Sequence, residues 1–76
     1  MNGGLIDQVT MEPDGIFLRV RGVGCHRHEM VAIKIPPTNY RLRIGDLVWW
    51  QPDCLRWEGK RLLRTNPIRQ GGVTAV

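Results

Sequence analysis

The sequence predicts an all-β fold, a small five-stranded antiparallel barrel, and three observations carry that expectation. Apolar and polar residues alternate over short stretches, the period of two that lays one face of a strand on a core. Turn residues (Pro, Gly, Asn, Asp) recur about every eight to twelve positions, the spacing of short strands joined by tight connections. Helical spacing of apolar residues is almost absent. A chain of 76 residues has room for one domain, near the lower limit at which a hydrophobic core alone sustains folding. That domain is expected over residues 1–66, with the Gly-containing segment 67–76 as a flexible tail.

Residues 5–11 read as the first strand. Glu12-Pro13-Asp14-Gly15 reads as a turn, because proline presets φ and glycine tolerates positive φ. Ile16–Val23 alternates: Ile16, Leu18 and Val20 share one face, and Phe17, Arg19 and Arg21 the other. Gly22 and Gly24 loosen its end. Glu29–Ile35 alternates again, with Val31, Ile33 and Ile35 inward, until Pro36-Pro37 stops the strand for want of amide donors. After a loop, Ile44-Gly45-Asp46 turns into Leu47–Gln51. Pro52-Asp53 reverses the chain, and Leu55–Trp57 with Lys60–Arg64 reads as a hairpin around Glu58-Gly59.

Charge is unevenly spread. Residues 1–37 carry four cations and four anions, whereas residues 38–76 carry seven cations and three anions, so the whole net charge of +4 belongs to the second half. Nine of the eleven cations are arginine, the side chain that forks onto phosphate and stacks on bases. Between Tyr40 and Arg64 the chain concentrates three tryptophans and six of those cations. Cations interleaved with flat aromatics suit a surface that holds a nucleic-acid strand.

Several residues recur in a familiar order: Gly4-x-Ile6, Phe17-Leu18-x-Val20, Asn39-Tyr40-Arg41, Gly45-Asp46-x-Val48, and Lys60-x-Leu62 with Arg64. Over about residues 4–64 this pattern resembles the five-stranded OB-fold of the S1 and translation initiation factor one group. An SH3-like barrel is the structural alternative. The resemblance implies oligonucleotide binding on the face of strands two and three. There Phe17 would be a stacking platform and Arg19 and Arg21 phosphate clamps.

Trp49 and Trp50 are adjacent on a strand and therefore face opposite sides. The expected register places Val48 and Trp50 inward, with Leu47 and Trp49 outward, while Trp57 packs in part at the hairpin end. Phosphate contacts are expected from Arg19, Arg21, Arg41, Arg43, Arg56, Lys60, Arg61 and Arg64. Stacking is expected from Phe17, Tyr40 and Trp49, beside Trp57. The partner would be single-stranded DNA or RNA, bound with low sequence specificity. The alternative is a protein-interaction module, by analogy a small phage-like accessory protein. It would dock on a larger protein or a second copy through Leu47, Trp49 and Trp57 rimmed by arginine.

Other chemistry finds little support. Cys25, His26, His28 and Cys54 are metal-ligand types, but no CxxC or HxxxH spacing joins them, and neither metal nor other cofactor is expected. Two cysteines are too few for a disulfide scaffold. The chain has no serine and no closely spaced carboxylates beyond Glu12 and Asp14. Gly22-x-Gly24 alone is a weak phosphate signal, so no enzyme is expected. The N-terminal residues show no secretory signal, and no apolar run reaches the roughly 18 residues of a membrane helix. A cytoplasmic protein without membrane contact is the expectation.

Overall fold

The computed structural model describes residues 2–66, and the tail expected over residues 67–76 lies outside the described residues. Six strands make one antiparallel sheet: β1 (Asn2–Glu12), β2 (Gly15–Gly22), β3 (Met30–Ile35), β4 (Leu47–Trp50), β5 (Cys54–Trp57) and β6 (Lys60–Leu63). Their order across the sheet is β3-β2-β1-β4-β5-β6. Among the described residues there is no α-helix, only a single 3-10 turn at Gly24–His26. The all-β antiparallel expectation holds, with two corrections. There are six strands rather than five, because Pro52-Asp53 and Glu58-Gly59 both reverse the chain and split its basic segment into a three-strand meander. The sheet is also not closed into a barrel, since β3 and β6 share no ladder.

What stands in for that ladder is a short seam after β6. Thr65 N donates to Lys34 O (2.8 Å). The Asn66 side chain accepts from Lys34 N (2.6 Å) and donates to Ala32 O (3.1 Å), so one carboxamide imitates a strand's peptide group. The sheet therefore curls until its two ends meet across these residues.

Every strand sends side chains to the concave side. Ile6, then Ile16, Leu18 and Val20, then Ile33 and Ile35 form one half of the core. Val48, Trp50, Leu55, Trp57 and Leu62 form the other, and Leu42 plugs it from the loop before β4. A one-residue slip would turn any strand's share outward, at about 1.5–3 kcal/mol for each large apolar side chain, so the burial pattern fixes the register.

Two backbone features shape the outer face. The β1–β2 register shifts between Ile6 and Gln8, which leaves Asp7 as the extra residue of a bulge. There β1 leaves β4 and bonds instead to the turn before it: Ile6 N donates to Asp46 O and Gly45 N to Ile6 O. At the β5–β6 hairpin, Glu58 and Gly59 both have positive φ, 50° and 77°. This is the type I′ geometry whose twist matches the flanking strands.

Candidate nucleic-acid interface

Alternation along β4 sets the site. Val48 and Trp50 are buried, and Leu47 and Trp49 face out, as the sequence register expects. Trp49 lies opposite Gly3 on β1 and Arg56 on β5, and Arg56 in turn faces Arg61 on β6. The row across the sheet is thus Gly3, Trp49, Arg56, Arg61. A methyl group at Gly3 would collide with the six-membered ring of Trp49, so the indole rests across the glycine backbone. The next outward row runs Met30, Arg21, Leu5, Leu47. Leu5, Leu47 and Trp49 keep 41%, 50% and 43% of their surface exposed, a contiguous apolar strip between arginines.

A second cluster adjoins the first at the hairpin. Asp46 Oδ2 accepts from Arg43 N and from Trp57 Nε1, both at 2.9 Å, which ties the turn before β4 to β5. Trp57 is buried, and its indole lies 5.8 Å from the ring of Tyr40. Lys60 Nζ sits 5.3 Å from the Tyr40 ring centre and 5.1 Å from that of Trp57, within cation–π range of both. A groove lined by Leu47, Trp49, Trp57 and Glu58 joins this cluster to the strip. Beyond it, Arg41 and Arg43 line a second hollow with Asp46, Trp57 and Glu58.

The expected stacking platform on β2 is in place but differently equipped. Phe17, Arg19 and Arg21 do project outward, opposite Ile16, Leu18 and Val20, yet Phe17 is half-buried. Arg19 is paired with Asp7 at 2.7 Å. Lys34, across the ladder from Phe17, binds Glu12 at 3.0 Å and Asp14 at 2.8 Å. The hydrogen bond from Lys34 holds the Asp14 carboxyl below its ordinary value. Hydrogen bonds to Asp14 and Glu12 in turn raise the ammonium. This end of the face is charge-compensated.

The other cations divide clearly. Among the described residues Arg21, Arg27, Arg41, Arg43, Arg56 and Lys60 have no carboxylate partner. Arg61 reaches Asp53 only at 3.4 Å, with both groups exposed. Arg64 is placed inside instead, at 7% exposure. Its Nη1 donates to Gln51 O (2.8 Å) and its Nη2 to Asn66 O (3.0 Å). Burial pushes its pKa down. Arg64 braces the seam and offers nothing to the outer face.

The metal-ligand types are dispersed in role. Cys25 is exposed in the middle of the 3-10 turn, whereas Cys54 is buried, with its thiol donating to Gln51 Oε1 at 3.2 Å. His26 Nδ1 donates to Glu29 Oε2 at 2.7 Å. No group of three His, Cys, Asp or Glu among the described residues is placed to hold a metal ion. Sequence reasoning missed Gly3 and Leu5, which complete the Trp49 strip. The pointer to them was the Gly3-Gly4 pair ahead of an apolar strand, where a side chain from a neighbouring strand can lie against bare backbone. Comparison with protein-family models, curated proteins and solved structures finds no match.

Proposed function

We propose that this protein binds single-stranded nucleic acid across the convex face of β1, β4, β5 and β6. The observation that carries the reading is the Gly3–Trp49–Arg56–Arg61 row, an exposed indole on a glycine floor with two guanidiniums beside it. A base stacks on the open side of the Trp49 ring, and the flanking phosphates fall to Arg56, Arg61 and Arg21. Arg41, Arg43 and Lys60 extend the cationic track past the hairpin. Stacking on an aromatic ring is tolerant of sequence and phosphate contact is blind to it, so the expected preference is weak. Phe17 and Arg19 are secondary here, because Asp7, Glu12 and Asp14 compensate their end of the sheet. The likeness to the OB-fold group belongs to the same proposal. It is supported by the alternation on β2 and β4, and opposed by the sixth strand and the open seam.

The test is titration of the folded protein with short poly(dT) and poly(U), following tryptophan fluorescence at low and raised salt. Quenching that weakens steeply with salt is the expected result. A flat titration at low salt sinks the reading.

A second reading rests on a separate observation. Leu5, Leu47 and Trp49 together with Met30 and Val23 expose an apolar strip of the kind that anchors protein partners. A protein partner would be held mainly by this strip, and its binding would change little with salt.

A further inference from the structure

Beside Trp49, where β1, β2 and β4 end, there is a cleft whose chemistry differs from its surroundings. It is lined by Asn2, Gly3, Gly22, His26, Glu29 and Trp49, together with Val23 and Trp50. No arginine or lysine lines it, although Arg21, Arg56 and Arg61 stand on the adjoining outer face. Glu29 is its one lining residue with a formal charge, its carboxylate largely open to solvent. A phosphate is repelled there, so whatever part of a strand enters must be uncharged and must bring hydrogen-bond donors. Resting on the strand-binding reading above, we propose that this cleft is a base-selective subsite that takes the Watson–Crick edge of guanine.

The walls are built for one small planar group. At about 150 Å³ the cleft is well short of the roughly 300–1,000 Å³ that a drug-sized ligand occupies. Gly3 and Gly22 supply a floor without side chains, and a methyl at Gly22 would collide with His26 O. The facing loop is pinned by its own backbone: Gly22 N donates to Glu29 O, Glu29 N to His26 O and His26 N to Val23 O, all within 3.1 Å. His26 donates its Nδ1 proton to Glu29 Oε2. That bond engages Oε2 and leaves Oε1 without a hydrogen-bond partner among the described residues.

A carboxylate accepts and cannot donate. Guanine presents two adjacent donors, N1–H and N2–H₂, and so matches it in a paired contact. Adenine and cytosine each present one amino group beside an acceptor. Thymine and uracil set a single N–H between two carbonyl oxygens that face the carboxylate with like charge. The order of preference is therefore guanine first and thymine or uracil last, with Trp49 packing against whichever base enters. A good paired contact to a base edge discriminates by about 5- to 150-fold, and exposure of His26 and Glu29 sets the expectation at the low end, about tenfold.

The experiment compares a short oligothymidylate with the same strand carrying one central guanine, adenine or cytosine, by tryptophan quenching at fixed low salt. Wild-type protein is expected to bind the guanine strand about tenfold tighter than oligothymidylate. In Glu29→Gln, whose carboxamide offers donors of its own, that ratio should fall to about one while oligothymidylate binding persists. A wild-type ratio near one with intact oligothymidylate binding, or an unchanged ratio in Glu29→Gln, overturns the subsite and leaves strand binding standing. No quenching by any strand overturns both.

Discussion

Salt dependence separates unpaired cations from those already satisfied, and the structure sets the size of the effect. Arg21, Arg41, Arg43, Arg56 and Lys60 border the Trp49 strip without a carboxylate partner among the described residues. If each meets one phosphate, the slope of log affinity against log salt is about −0.7 for each contact on a single strand, or about −3.5 for the five. Raising salt from about 50 to about 200 mM then weakens binding by about 130-fold. Arg56→Ala removes one contact, so its slope should be about −2.8 and the same salt change should cost about 50-fold. Arg19→Ala is the matched control. Its guanidinium is committed to Asp7 at 2.7 Å, so the slope should stay near that of the unaltered protein. The assay is fluorescence titration with poly(dT) at several salt concentrations. Two results would refute the reasoning: firm binding with a slope shallower than about −1, or Arg19→Ala lowering the slope as much as Arg56→Ala.

Trp49→Ala should weaken oligonucleotide binding by about 1–3 kcal/mol, the worth of one stacked base, with little loss of thermal stability because the ring is half exposed. Gly3→Ala should weaken it too by lifting the indole, and a shifted emission maximum in the free protein would report the displaced ring. Asn66→Ala removes the acceptor for Lys34 N and the donor to Ala32 O. At about 1–3 kcal/mol for stranded polar groups, Tm should fall by at least about 4 °C, and the Lys34 amide should exchange faster with solvent. The Lys34–Asp14 pair gives a pH signature. The Asp14 carboxyl is held below its ordinary 3.8, so its contribution is present above that value and is lost as pH falls through the lower folded value. The melting curves of wild type and Lys34→Met should differ slightly at neutral pH, exposed pairs being weak, and converge in acid.

Alternation made most of the sheet legible. Ile16, Leu18 and Val20 against Phe17, Arg19 and Arg21, and Val48 and Trp50 against Leu47 and Trp49, are local patterns of period two, and burial follows them residue by residue. The turns were legible for the same reason, since Pro13, Gly15 and Glu58-Gly59 constrain their own dihedrals. The bulge at Asp7 was not, because an inserted residue leaves no mark on the apolar pattern until Val9 and its partner Leu18 are known to pair. The fate of Arg64 was equally hidden. Its guanidinium is fixed by carbonyls at Gln51 and Asn66 that only the curl of the sheet brings to one place. In sequence it looks like any other basic residue of its segment.

The charge asymmetry is where sequence and structure bear on each other most directly. Folding can mix two halves of a chain and cancel their charges, but here the ion pairs of the neutral half stay within it. Asp7 takes Arg19, Glu12 and Asp14 take Lys34, and Glu29 takes His26. Among the described residues of the basic half, Asp46 accepts an indole and a backbone amide, and Asp53 is the one carboxylate that reaches a guanidinium. Arg41, Arg43, Arg56 and Lys60 are therefore left unpaired on β5, β6 and the segment before β4, around the one exposed tryptophan, with Arg21 and Arg27 unpaired on β2 and the turn after it. Arg56 stands unpaired beside Trp49, whereas Arg19 is held by Asp7; that difference ties phosphate contact and base stacking to one part of the face, and it is why Arg56 rather than Arg19 is the residue whose loss should be felt.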